Sequence, residues 1–312
     1  MTNENEARAP IAETGYLAAK GFLDDLLSEL EAEPTLIHGR LVLVPGPPRP
    51  AAWAANIWRD PVRLDVPSIK AGARALRAIQ RNWALYSVAH HRRAALIEAE
   101  LPKVSAKPLQ FPSAAPSAPL GSWTLLDPST ILASADCSSP FPNGEARFVE
   151  DKEGPPNRAY LKLWEALSLA RRWPGPSERC LDLGASPGGW SHVIAKLGAQ
   201  VIAVDKAPLD PAVEALANVE VRRQSAFALA PDDIGPIDWL FSDVVCYPAR
   251  LFGLIERWRE TGLCRNFICT VKFQGATDLE AQRAFQALPG KLLHLHHNKH
   301  ELTWICVEGE GA

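Results

Sequence analysis

Apolar positions follow two different rhythms along this chain. In the stretch GFLDDLLSELEA, residues 21–32, Phe22, Leu23, Leu26, Leu27 and Leu30 fall on one face at helical spacing. TLIHGRLVLVP, 35–45, reads as a strand, and SIKAGARALRAIQRNW, 68–83, reads as a helix. From about residue 150 onward, short apolar runs alternate with helical patterns. RAYLKLWEALSLARRW predicts an amphipathic helix, RCLDLG a short strand, and GGWSHVIAKLG a helix ending at Gly198. AQVIAVD, NVEVRRQ, IDWLFSD and NFICTVKF predict further strands. Pro248 opens a helix through ARLFGLIERWRE, and TDLEAQRAFQAL is another, with Thr277 as its N-cap and Glu280 completing a capping box. KLLHLHH and HELTWICVE predict a closing antiparallel hairpin. The expected fold is α/β: a Rossmann-like domain with a mostly parallel sheet and helices on both faces, preceded by a smaller α+β domain.

The division expected from these patterns is a disordered polar tail at 1–14, an amino-terminal α+β domain at 15–106, a linker or crossing segment at 107–150, and the α/β domain at 151–312. The linker expectation rests on KPLQFPSAAPSAPLGSW, which is rich in proline, serine and alanine.

The turn GASPGGW follows the strand RCLDL and opens a helix. It lacks the Gly-Lys-Ser/Thr of a phosphate-binding P-loop, and its glycines, Gly184, Gly188 and Gly189, do not form a good Gly-x-Gly-x-x-Gly. Glycines there still let backbone approach a ligand, and the helix start offers free N–H donors. Asp205 ends the next strand, 23 residues after Asp182. An acid at that place in a βαβ unit can bind both hydroxyls of a ribose. A glycine turn and a ribose-binding acid without phosphate machinery suit a nucleoside carrying no pyrophosphate, and S-adenosylmethionine is such a ligand. Asp182 either caps the turn or reaches the ligand's amino-acid part through water.

The segment DLGASPGGWS resembles the first motif of the FtsJ family of S-adenosylmethionine-dependent rRNA ribose 2′-O-methyltransferases. The likeness runs from about Asp127 to about Val307 and takes in SSPFPNGEARF, NRAYLKLWEA, DVVCYPAR, CRNFICTVKF and HNKHELTW in order. It implies a Lys-Asp-Lys-Glu tetrad at Lys162, Asp243, Lys272 and Glu301, a cytoplasmic enzyme, and RNA, most of all large-subunit rRNA, as partner. A ribose 2′-hydroxyl is a poor acid, so a lysine whose ammonium form is disfavoured is the base required, and Lys272 is assigned that role. Lys162 would stabilise developing negative charge, Asp243 would orient Lys272, and Glu301 would position Lys162 or the ribose. Cofactor contacts are expected from Asp182, Gly184, Pro187, Gly188, Gly189, Trp190, Asp205, Ala226 and Asp243. Relatives often carry an acid after the third strand, facing the adenine amino group. Here Ser225 and Ala226 stand at that place, leaving adenine to backbone groups and Phe227. Each tetrad member also has a plainer reading, such as Lys162 and Glu165 forming a surface pair on one helix.

Charge adds a second surface. The whole chain of 312 residues carries a net −3, but residues 70–107 hold eight basic side chains against two acidic, a net of +6. Lys70, Arg74, Arg77 and Arg81 form one stripe, read either as a solvated helix face or, with Arg158, as a phosphate-contacting surface. Six scattered cysteines without zinc or disulfide spacing suggest a reducing compartment, and no apolar run is long enough to span a membrane. His294 and His296 alternate along a predicted strand near His297 and His300, but no metal site is assigned. The competing functions are a cap or tRNA 2′-O-methyltransferase, and a non-catalytic RNA-binding protein on a methyltransferase scaffold.

Overall fold

A computed structural model describes residues 13–308, which divide into two compact units. The first comprises the chain up to Lys107 together with Pro116–Glu145; the second comprises Pro108–Ala115 and everything from Ala146.

The first unit is built on two sheets. Strands β1 (Glu13–Ala18), β2 (Leu36–His38), β3 (Leu41–Pro45), β4 (Ala54–Arg59) and the short β9 (Asp136–Cys137) make a five-stranded sheet in the order β2-β3-β1-β4-β9. Strands β5 (Val62–Asp65), β6 (Trp83–Leu85), β7 (Gly121–Asp127) and β8 (Thr130–Ser134) make a second sheet in the order β5-β8-β7-β6. Helix α1 (Leu23–Leu30) precedes β2, while α2 (Ile69–Ile79) and α3 (His91–Ala99) share a buried core of Ala73, Leu76, Ala94 and Ile97 with Trp123, Leu125 and Ile131 of the second sheet.

Three expectations change here. TLIHGRLVLVP is two strands, not one, because Gly39 takes a positive φ of 62° and turns the chain into a hairpin. Glu13 and Thr14, expected in the tail, pair with Pro45 and Val44 in β1; the rest of that tail lies outside the described residues. The segment 107–150 is not a linker. Its residues 121–134 supply β7 and β8, the central pair of the second sheet, with Trp123, Leu125 and Ile131 fully or almost fully buried. Proline and serine gather in the residues before those strands, and that composition masked the strand pair behind it.

The second unit holds a seven-stranded sheet. Its strands are β10 (Arg179–Leu183), β11 (Gln200–Asp205), β12 (Val219–Arg223), β13 (Trp239–Ser242), β14 (Asn266–Lys272), β15 (Lys291–Leu293) and β16 (Glu301–Cys306), in the order β12-β11-β10-β13-β14-β16-β15. The first five run parallel and the last two pair antiparallel, as the Rossmann-like expectation requires. The helices are α4 (Tyr160–Ala170), α5 (Gly189–Lys196), α6 (Pro211–Glu214), α7 (Pro231–Ile234), α8 (Pro248–Thr261) and α9 (Leu279–Gln286).

Helix α4 is not amphipathic: ten of its eleven residues are buried, Lys162 and Glu165 among them. A helix enclosed on all sides has no solvated stripe to mark its period. The N-cap of α9 is Asp278, whose carboxylate accepts the Ala281 N–H at 3.0 Å, while the Thr277 hydroxyl is engaged by His300 Nε2 at 2.9 Å. The histidine-rich stretch is a turn after β15 rather than a strand. None of the described helices is long and apolar enough to cross a membrane.

Candidate active site

The carboxyl ends of the parallel strands are where an open α/β sheet binds ligands, and the expected tetrad converges there. Asp243 follows β13 directly, Lys272 closes β14, Glu301 opens β16 opposite Lys272 in register, and Lys162 comes from the first turn of α4. Lys162 Nζ donates to Asp243 Oδ1 and Oδ2 at 2.8 and 2.9 Å and to Glu301 Oε1 at 3.0 Å. Lys272 Nζ lies 3.1 Å from the same Asp243 Oδ1 and donates to the Asp243 backbone carbonyl at 2.5 Å. Asp243 therefore links the two lysines through one oxygen. Its partnership with Lys162 is closer than the sequence alone implied, and Glu301 is paired with Lys162.

Burial works against the Lys162 ammonium, since charge is costly away from water. The Asp243 and Glu301 carboxylates outweigh that effect and hold its pKa above the ordinary lysine value. Lys162 is thus a fixed cation. The plainer reading of Lys162 and Glu165 as a surface pair fails. Glu165 is buried, and its carboxylate accepts the N–H groups of His296 and His297 at 2.8 and 3.1 Å and the His297 Nδ1–H at 2.7 Å.

The glycine turn abuts this cluster. Gly184 has φ +79°, and a Cβ built on it would lie 2.6 Å from Val244 Cα, next to Asp243. Gly188 has φ +113° and caps α5, while a Cβ on Gly189 would meet Asn157 Oδ1 at 2.3 Å. These glycines are required first by close packing of the turn against the chain itself. Pro187 follows a cis peptide bond within it. The Trp190 indole is buried, donates to the Ala159 carbonyl at 2.9 Å and packs edge-on against Phe241, so its offer to a ligand is a backbone N–H.

Asp182 is fully enclosed. One carboxylate oxygen accepts the Ser191 hydroxyl at 2.6 Å, tying β10 to α5; the other is buried with no hydrogen-bond partner among the described residues. Burial pushes its pKa up to about 7. Asp205, half-buried at the end of β11, accepts the Ser186 and Ala207 N–H groups at 3.1 and 2.9 Å. Ala226 is buried in a short turn capped by the Ser225 hydroxyl, and the Arg250 guanidinium lies 3.8 Å from the centre of the Phe227 ring. One face of Phe227 is therefore occupied. An orphan carboxylate oxygen, a strand-end acid, a tight backbone turn at a helix start and no basic side chain in the turn together fit a nucleoside without phosphate.

The remaining candidates belong to the first unit or carry other contacts. Lys70, Arg74 and Arg77 are exposed on α2 of the first unit, but the helix stops at Ile79, so Arg81 follows it rather than continuing its face. Arg158 is exposed and paired with Glu150 at 2.8 Å. Among the histidines, His294 meets the Lys299 carbonyl, His297 meets Glu165 and His300 meets Thr277; no group of three potential metal ligands occurs among the described residues. Glu165 and Ser191 were missed. Glu165 had a signal, a lone acid between Trp164 and Ala166 in a helix rich in apolar residues, whereas the Ser191–Asp182 bond had none.

Residues 155–278, all within the second unit, match the family described as FtsJ-like methyltransferase. Two curated relatives are each named ribosomal RNA large subunit methyltransferase M. That of Aromatoleum aromaticum is 37% identical over 164 residues, covering 47% of this chain and 44% of its own. That of Xanthomonas campestris is 33% identical over 196 residues, covering 57% and 56%. The chain spans about half the length of the curated relatives it matches. Similar solved structures include TrmN from Thermus thermophilus (14% identity, TM-score 0.38, covering 94% of this chain and 98% of that one) and fibrillarin from Methanococcus jannaschii (16%, 0.37, covering 47% and 74%).

Proposed function

We propose that this protein methylates a ribose 2′-hydroxyl of RNA, in large-subunit rRNA and in the cytoplasm, with S-adenosylmethionine as donor. The observation that carries the reading is the single Asp243 oxygen shared by Lys162 and Lys272 beside the glycine turn. S-adenosylmethionine supplies an electrophilic methyl group; Asp205, the turn at 184–190 and Asp182 are the groups that would hold it.

The rest of the chemistry falls to the protein. Lys162, kept protonated by two carboxylates, presents positive charge where the 2′-oxygen becomes anionic. It cannot readily serve as base. Lys272 meets one carboxylate among the described residues, and two of the positions around its Nζ are turned to Asp243, toward Oδ1 and the backbone carbonyl. When that amine gives up a proton, the position left is a lone pair, which would take the hydroxyl proton as the oxygen attacks. Asp243 and Glu301 hold both lysines in place, so much of the acceleration comes from positioning. The names of the curated relatives support rRNA as substrate, and the exposed Lys70, Arg74 and Arg77 supply a surface for its phosphates.

The test uses labelled methyl donor with large-subunit rRNA, tRNA and capped RNA, followed by mapping of the modified atom. Lys272→Ala should lose transfer by at least about 10²-fold while donor binding, read by calorimetry, persists. Near-normal turnover in that variant, or methyl found on a base, overturns the proposal.

A further inference from the structure

The loop joining β13 to α8 reads Asp243-Val-Val-Cys-Tyr-Pro248, and its side chains alternate. Val244 lies against Gly184 and Cys246 is buried, whereas Val245 and Tyr247 point outward at 74% and 66% exposure. These are the two most exposed large hydrophobic side chains among the described residues. They stand two and four positions from Asp243, at the strand ends that carry the tetrad. Tyr247 also breaks a local rule. It is the N-cap of α8, a place that favours serine, threonine, aspartate or asparagine, and it makes no side-chain cap bond. An aromatic ring left in water beside the candidate site is available for contact with something else. One turn along, the Arg250 N–H bonds the Tyr247 carbonyl at 3.0 Å, and its exposed guanidinium lies over Phe227.

We infer that Tyr247, edged by Val245, is a stacking platform for an unpaired nucleobase of the RNA substrate, with Arg250 meeting the adjoining phosphate. The inference rests on the proposed RNA substrate and adds its state: the nucleotide brought to Asp243 is single-stranded or extruded, because a base inside a duplex has no free face to offer a ring. A planar aromatic with a neighbouring cation suits a base and its phosphate, and such stacking tolerates any base.

The test measures binding of a fluorescent unstructured oligoribonucleotide, and of the same oligomer in duplex, to the full chain. Wild type should prefer the single strand. Tyr247→Ala should weaken single-strand binding about tenfold, within the range expected for one stacked base, and leave duplex binding unchanged. Tyr247→Phe should retain the affinity, and Tyr247→Leu should behave as the alanine variant. If leucine matches phenylalanine, the surface asks only for apolar bulk, as a protein partner would, and the inference fails. It fails equally if alanine changes nothing, or if wild type binds neither RNA. Methyl transfer is scored separately, so a protein that shows this binding pattern yet methylates no RNA would overturn the reaction and keep the platform.

Discussion

Glu165 and His297 are joined twice, through the backbone N–H at 3.1 Å and through ring Nδ1 at 2.7 Å. Glu165 sits one helical turn after Lys162, and His297 belongs to the turn that leads into Glu301. The pair thus fixes the two sides of the Lys162–Glu301 contact. Glu165→Ala leaves buried donors unsatisfied and should cost about 3 kcal/mol, read as a lowered urea midpoint. Glu165→Asp, which keeps the charge on a shorter stem, should recover part of both stability and turnover. Stability and turnover that match wild type in the alanine variant would make the pair incidental.

Lys162→Met removes the cation from between two largely buried carboxylates. Breaking a buried pair from one side costs about 3–5 kcal/mol. The pH dependence is a sharper test. The folded-state pKa of Lys162 is raised, so its contribution is complete below the unfolded value near ~10.4 and is lost as pH climbs through the higher folded value. Wild type should lose stability along that alkaline limb, and Lys162→Met should lack this part of the loss in circular dichroism melts.

Asp182 has the opposite consequence near neutrality. Folding raises its pKa to about 7, so the folded chain holds the proton where an unfolded aspartate, at about 3.9, has released it. This group therefore reduces stability as pH rises between those values. Asp182→Asn keeps an acceptor for Ser191 and should remove that decline. Urea midpoints that fall with pH as steeply in the variant as in wild type would refute the assignment.

Reversing the charge of Lys70, Arg74 and Arg77 should weaken RNA binding and flatten its dependence on salt, by about 0.7–0.9 in log–log slope for each phosphate that is no longer neutralised. An unchanged slope returns the stripe to an ordinary solvated face.

Much of the second unit was legible because its signals are local. Each strand of the parallel sheet announced itself as a short apolar run, and Asp243 and Lys272 stand where such runs end. The features that stayed hidden depend on enclosure or on competition between neighbours. Helix α4 gave no reliable face, so Glu165 looked like a surface partner of Lys162. Thr277 and Asp278 are both good capping residues, and the choice between them comes from His300 holding the threonine. Tyr247 could be quoted within a motif but not seen to be exposed. In the first unit, proline-rich composition ahead of Gly121 concealed two central strands, because composition averages over residues while β-structure is set by alternation.

The chain leaves the first unit at Lys107, visits the second through Pro108–Ala115, and returns for Pro116–Glu145. During that visit Leu109 bridges to Phe148 and the Ala115 N–H reaches the Ser168 carbonyl. No single cut separates the units. A truncation at residue 107 would keep β5 and β6 as the two edges of a sheet and discard the pair between them. The same holds as the protein is made. The amino-terminal sheet waits, with the apolar faces of α2 and α3 uncovered, until residue 134 has left the ribosome.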